Sequence, residues 1–176
     1  MQQFLLATAL SSALLVSTAH AGANSFFDSL SGSWSGSGQA YLKKLGEISA
    51  NCRLAITGAE SQVAMKGSCG TLVFSQALGL TIKNAGGNRY VGTYTGSKTG
   101  PARLEGTLQG DRLVMNIRWG GLVNGDRTAV MILERTGPNS FAQTVSDKVA
   151  GINRRTSSFA FKRDSISASV AKVAVR

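Results

Sequence analysis

Ser31-Gly32-Ser33-Trp34-Ser35-Gly36-Ser37-Gly38-Gln39-Ala40-Tyr41-Leu42 is the stretch whose reading decides the fold. Taken as a β-strand, its alternate residues face opposite sides. Gly32, Trp34, Gly36, Gly38, Ala40 and Leu42 share one face, and Ser33, Ser35, Ser37, Gln39 and Tyr41 share the other. A single indole is thus flanked on its own face by residues with little or no side chain, while the opposite face is polar. This is the pattern of a first strand that bends into a closed barrel with its tryptophan pointing inward.

Working outward, the same two-residue period recurs. Upstream, Phe26, Phe27 and Leu30 have the spacing of one short helical turn that could plug a barrel end. Downstream, Ile48, Ala50, Cys52, Leu54 and Ile56 share a face of the run Glu47 to Thr57, and Val63, Met65, Gly67 and Cys69 share a face of the run Gln62 to Cys69. Leu78, Leu80 and Ile82 alternate with polar or small residues, with Thr71 to Ser75 either a separate short strand or part of one interrupted strand. Ala85-Gly86-Gly87-Asn88 is a hairpin turn leading to Tyr90, Gly92 and Tyr94. Ala102, Leu104, Gly106 and Leu108, then Leu113, Met115, Ile117 and Trp119, continue the rhythm. Gly120 to Asp126 reads as a glycine-rich loop, and Arg127 to Arg135 as a strand covered on both sides. Phe141, Gln143 and Val145 form one face of the next strand, and Phe159 and Phe161 one face of the last. The expectation is an all-β protein: a single up-and-down antiparallel β-barrel of about 8–10 strands with a short N-terminal helical turn.

The domain boundaries follow from composition. Phe4 to Val16 is an apolar run of signal-peptide length, and Ala19-His20-Ala21 offers small residues where a signal peptidase cuts. The reading is a signal peptide over residues 1–21, a barrel domain over 22–163 and a tail over 164–176 that suits a strand, a helix or disorder. The protein is then periplasmic or secreted. Cys52 and Cys69, the only two cysteines, are expected to form a disulfide in that compartment. A hairpin turning near Glu60 and Ser61 sets them opposite each other, close enough to bridge. The net charge of +10 favours an anionic partner such as lipopolysaccharide, acidic polysaccharide or phospholipid headgroups. Export argues against nucleic acid, and no later run is long enough to cross a membrane as a helix.

Gly32-Ser33-Trp34 resembles the Gly-x-Trp signature on the first strand of lipocalins and related calycin barrels, and Gly32-x-Trp34-x-Gly36-x-Gly38 is similar to the opening of nitrobindin-like barrels. The resemblance implies a closed barrel with an interior site for an apolar ligand. It also implies an arginine from near the last strand packed across Trp34, for which Arg163 and Arg155 are the candidates. The spacing of Cys52 and Cys69 resembles, more loosely, small periplasmic protease-inhibitor barrels with one disulfide. Nitrobindin-like proteins hold haem through a histidine, whereas His20 is the only histidine here and lies in the signal segment. Haem held through histidine is therefore not expected, nor is any other cofactor or metal.

Catalysis is weighed by subtraction. Without a histidine beyond His20 there is no Ser-His-Asp, Cys-His or zinc arrangement. Asp28, Glu47, Glu60, Asp111, Asp126, Asp147 and Asp164 fall at turns or strand ends, where solvated turn chemistry accounts for them. The protein is expected not to be an enzyme. Trp34, Met65, Tyr90, Tyr94, Met115, Trp119 and Met131 point inward and either line a ligand pocket or simply fill the barrel. Two roles are expected from this: a non-enzymatic exported barrel that binds a small apolar or amphipathic ligand, or a basic-surface protein that meets an anionic polymer or a protein partner of the cell envelope, an inhibitor role included.

Overall fold

The structure, a computed structural model, describes residues 26–165, so residues 1–21, read above as a signal peptide, and nearly all of the tail lie outside the described residues. Helix α1 covers residues 26–30. Ten strands follow: β1 (Gly32–Leu42), β2 (Gly46–Ala59), β3 (Gln62–Gly70), β4 (Ser75–Asn84), β5 (Tyr90–Thr95), β6 (Ala102–Gln109), β7 (Arg112–Val123), β8 (Asp126–Gly137), β9 (Ser140–Val149) and β10 (Ile152–Arg163). Each pairs antiparallel with its sequence neighbour, and β10 returns to β1, giving a closed up-and-down barrel. Closure leaves no free sheet edge. It also sorts the turns. The β1–β2, β3–β4, β5–β6, β7–β8 and β9–β10 turns gather at one end, here called the mouth, while α1 and the other four turns gather at the opposite, plugged end.

The alternation read from the sequence sets the inside of the barrel. Leu54, Ile56, Val63, Met65, Ile82, Leu104, Leu113, Met115, Leu133, Phe141 and Phe161 are all buried. The inward glycines do not leave a void. Gly36 is registered with Phe161 and Gly38 with Phe159 across the closing seam, and a Cβ on either glycine would run into those phenylalanine side chains. Gly67 opposite Leu54, Gly92 opposite Ile82 and Gly106 opposite Met115 repeat the arrangement. At Gly67 and Gly92 the glycine gives the space that the Leu54 or Ile82 side chain fills, and at Gly106 it lets the β7 backbone approach, which is how a narrow barrel reaches close packing.

The plug is fastened by the seam itself. Trp34 and Arg163 are register partners on β1 and β10, with the guanidinium carbon 4.3 Å from the indole ring centroid. Arg163 donates to the carbonyls of Ser29 and Ser31, and Trp34 Nε1 donates to the carbonyl of Leu30 at 2.7 Å. Helix carbonyls that would otherwise lack partners are thereby satisfied by a cation and an indole. Gly32, at φ +129°, is where the guanidinium passes, and any Cβ there would collide with it. Ser31 Oγ fixes the other side, accepting from the Gly58 amide at 2.8 Å. Phe26, Phe27 and Leu30 are then fully buried, and Phe27 meets Tyr90 edge-on at 5.6 Å.

Several expectations change. Thr71 to Phe74 is a tight turn, with the Thr71 amide donating to the Phe74 carbonyl at 2.7 Å, and β4 is one uninterrupted strand from Ser75. Gly120 to Asp126 is not a loop: β7 runs on through Val123, and only Asn124 and Gly125 turn. Gly120 and Gly121 instead let the β5–β6 loop lean on β7, where Thr99 occupies the space a side chain would take. β8 is covered on one face only, since Val130 on its outer face is exposed. The β9–β10 segment from Lys148 to Arg155, unassigned from sequence, is a hairpin turning at Ala150-Gly151, with left-handed φ at both positions.

Cys52 and Cys69 are bonded, directly opposed on β2 and β3 with Cα atoms 4.1 Å apart. Reducing this bridge, or replacing both cysteines by serine, should lower stability by roughly 3 kcal/mol while leaving the barrel folded, because it closes a short loop in the unfolded chain. Arg163→Ala should cost about 2–4 kcal/mol by urea denaturation, since it takes the donor from the carbonyls of Ser29 and Ser31 and uncovers Trp34. Arg163→Lys should recover little of this, an ammonium being unable to serve both carbonyls from over the ring. Equal midpoints for Arg163→Ala and the wild type would refute the clamp.

Candidate functional site at the barrel mouth

The seven inward residues singled out in the sequence separate into three groups. Trp34 and Tyr90 belong to the plugged end, one under Arg163 and the other against Phe27. Met65, Met115 and Met131 are fully buried in the middle of the barrel, with Met115 and Met131 registered side by side on β7 and β8. Stacking of Phe141 on Phe161 at 4.6 Å, and of Trp34 edge-on against Phe141 at 4.8 Å, completes this packed region. Only Tyr94 and Trp119 reach the mouth, where their rings meet edge to face at 6.2 Å. Arg155, the second candidate to cover Trp34, is also at the mouth. It lies exposed beside Tyr41, Glu47 and Thr156 in a shallow outer groove, at the far end of the barrel from the indole.

The mouth also holds a residue that the sequence reading misplaced. Asp147 is not a solvated turn residue. Its side chain is 4% exposed and it is the one buried charged or polar side chain among the described residues. The reason is the length of β9, which extends to Val149 and carries the inward series Phe141, Gln143, Val145 one step further to position 147. Extending that alternation by two residues would have found it. Asn124, left-handed at φ +54° in the β7–β8 turn, points its amide at the carboxylate and donates to Asp147 Oδ2 at 3.1 Å. The Lys148 amide donates to Oδ1 at 2.7 Å.

Trp119 stands next to these groups, 8% exposed, and its Nε1 has no hydrogen-bond partner. The indole approaches Asp147 closely enough to favour the carboxylate slightly, yet no bond of good geometry closes between them. A buried donor without an acceptor is uncommon and destabilising. Burial pushes the Asp147 carboxyl above its ordinary range; the Asn124 and Lys148 donors pull it back, Asp126 raises it and Trp119 lowers it. Burial likewise raises the Tyr94 phenol. The arrangement offers two aromatic faces, an indole N–H without an acceptor, and a buried carboxyl held by two donors. Such a set, with the carboxyl counted only as one whose pKa burial raises, can hold a molecule with an apolar body and one polar group. Among the described residues no cluster of histidine, cysteine, aspartate and glutamate has the makings of a metal site, and no helix is long and apolar enough to cross a membrane.

No known protein-family model matches the sequence, and no curated protein matches it. Among solved structures the chain is similar to the crystal structure of Rv2717c from M. tuberculosis, with a TM-score of 0.61 over 81% of this chain and 98% of that one, at 11% identity. A likeness at that identity shows a shared barrel fold and nothing of the site.

The raised carboxyl gives a pH signature. Between the unfolded and folded pKa values of Asp147 the native protein holds more protons than the unfolded chain, so stability falls as pH rises through that window and levels off above it. Asp147→Asn keeps the acceptor for Asn124 and removes the titration. Its melting temperature, followed from acid to neutral pH, should lose this fall relative to the wild type; an unchanged difference at every pH would contradict it.

Proposed function

We propose that the protein is an exported, non-enzymatic β-barrel that binds a small apolar or amphipathic molecule at its mouth, in the manner of calycin-like barrels. The observation that carries this reading is the unpartnered Nε1 of Trp119 beside the buried carboxyl of Asp147, at the end of the barrel that α1 does not plug. The plugged half is closely packed, so the ligand lies against Tyr94, Trp119 and the inward side of Leu78 rather than deep in the barrel. A polar group on the ligand accepts from the indole and meets the carboxyl, which donates when protonated and accepts when ionised. Export rests on the apolar leader and the disulfide, and the absence of a catalytic histidine supports a binding role over an enzymatic one.

The two tryptophans make the test direct, since Trp34 sits under the plug and Trp119 at the mouth. A brominated acyl amphiphile below its micelle concentration should quench the Trp119 share of the emission on contact and leave that of Trp34. Trp119→Phe protein should show no quenching. Absence of quenching in the wild type, or equal quenching in Trp119→Phe, would rule out a mouth site.

A further inference from the structure

Six of the seven large apolar residues that the barrel exposes lie at the mouth: Leu45, Leu72, Val73, Phe74, Leu122 and Ile152. They come from four of the five mouth hairpins, and Leu72 and Val73 are almost wholly exposed, at 106% and 95%. The hairpin turns of the plugged end carry none. Only Val130, on the outer wall of β8, stands apart. An apolar collection of this kind on one end of a protein marks a contact surface.

The charges are less one-sided. Toward the plugged end Arg89 pairs with Glu105, Arg112 with Glu134 and Arg135 with Asp111, while Lys83 and Lys162 there, and Arg53, Lys66, Arg103 and Arg118 on the wall, are exposed with no ion-pair partner among the described residues. At the mouth, Lys43, Lys44, Lys98, Arg127, Lys148 and Arg155 are exposed and without an ion-pair partner among the described residues. Of the mouth carboxylates, Glu47 is taken by Arg154 at 3.3 Å, Asp126 accepts from the Thr128 amide, and Asp147 is buried. Apolar tips ringed by unmatched cations are complementary to one surface above others, an anionic bilayer, into which the tips insert while the ammonium and guanidinium groups meet lipid phosphates.

We infer that the mouth is a membrane-docking face, which seats the barrel upright on an anionic phospholipid surface through the Leu45, Leu72–Phe74, Leu122 and Ile152 tips and the surrounding lysines and arginines. The inference goes beyond ligand binding and does not depend on it. Docking places the opening against the headgroup layer, so that a molecule with an acyl-like body would pass between bilayer and barrel without crossing water.

Sedimentation with vesicles tests it. The protein should bind vesicles of phosphatidylglycerol and phosphatidylethanolamine, bind phosphatidylcholine vesicles poorly, and release as salt rises. Leu72→Ser with Val73→Ser should weaken binding about tenfold, as should Lys43→Gln with Lys44→Gln, because stable attachment of this kind needs both apolar and electrostatic parts. Arg89→Gln, at the plugged end, should bind as the wild type does. The substituted mouth residues are exposed, so unchanged melting temperatures separate docking from folding. The inference fails if anionic vesicles are not preferred, if the Leu72/Val73 variant binds undiminished, or if the free protein is a dimer that this variant dissolves, since a second copy would then cover the tips. The bromine-quenching experiment contains no bilayer, so either proposal can fail while the other stands.

Discussion

The barrel depends on one cross-strand pair, Trp34 on β1 and Arg163 on β10. These strands are the first and the last, so the pair sits on the seam that turns a meandering sheet into a closed one. The same two side chains reach the carbonyls of Ser29, Leu30 and Ser31 and hold α1 across the opening. The pair on the seam that closes the sheet is therefore also the pair that holds the plug. A five-residue helix is far too short to persist alone; its conformation is supplied by the partners its carbonyls find. Gly32 belongs to this device as much as the charged residue does, since the guanidinium passes through the space a side chain would fill.

A seam fastened at one end has consequences for the other. Phe141, Phe159 and Phe161 crowd the plugged half, with Gly36 and Gly38 giving up their volume to β10. Toward the mouth the aromatic layer thins to Tyr94 and Trp119, and polar groups enter the inward face at Asp147 and, part-buried further in, at Gln143. Gln143 still finds a weak acceptor in the Met131 sulfur at 3.8 Å. Trp119 finds none. The two halves obey different rules: one is satisfied and apolar, the other keeps a hydrogen-bonded carboxyl and a donor without a partner out of water.

Much of the fold was legible because strand alternation is a local signal. The inward faces of β2, β3, β6 and β7 follow directly from their two-residue period, and the opposed cysteines follow from one hairpin. What the pattern could not say was whether Gly36 and Gly38 leave a hole, because that depends on the register with Phe159 and Phe161, more than a hundred residues away. Arg163 could be nominated from resemblance but not chosen over Arg155, since the choice rests on which end of β10 meets Trp34. Asp147 was lost for a different reason. An aspartate near the end of an apparent strand looks like turn chemistry, and only the full length of β9 shows that the carboxyl is inward. The apolar tips were invisible as a group because Leu45, Leu72, Leu122 and Ile152 are spread along the chain and are gathered by hairpin parity alone.

Closure also limits where anything else can bind. A barrel without edges cannot add a strand, so a partner has the outer wall or one of the two ends. Along the wall the exposed positions are largely polar, with Arg53, Lys66, Arg103 and Glu105 among them and Val130 the one large exposed apolar residue. At the plugged end the interior is sealed by Phe26, Phe27 and Leu30, the turns expose no large apolar residue, and Arg112 and Arg135 pair with Glu134 and Asp111. At the mouth apolar tips are bare, Lys43, Lys44, Lys98, Arg127, Lys148 and Arg155 have no ion-pair partner among the described residues, and an indole N–H faces inward without an acceptor. The bare tips and the unpartnered donor work against the stability or solubility of the isolated chain. Their confinement to the single end that the Trp34–Arg163 clamp leaves open is what marks the mouth as the part of the molecule built for contact.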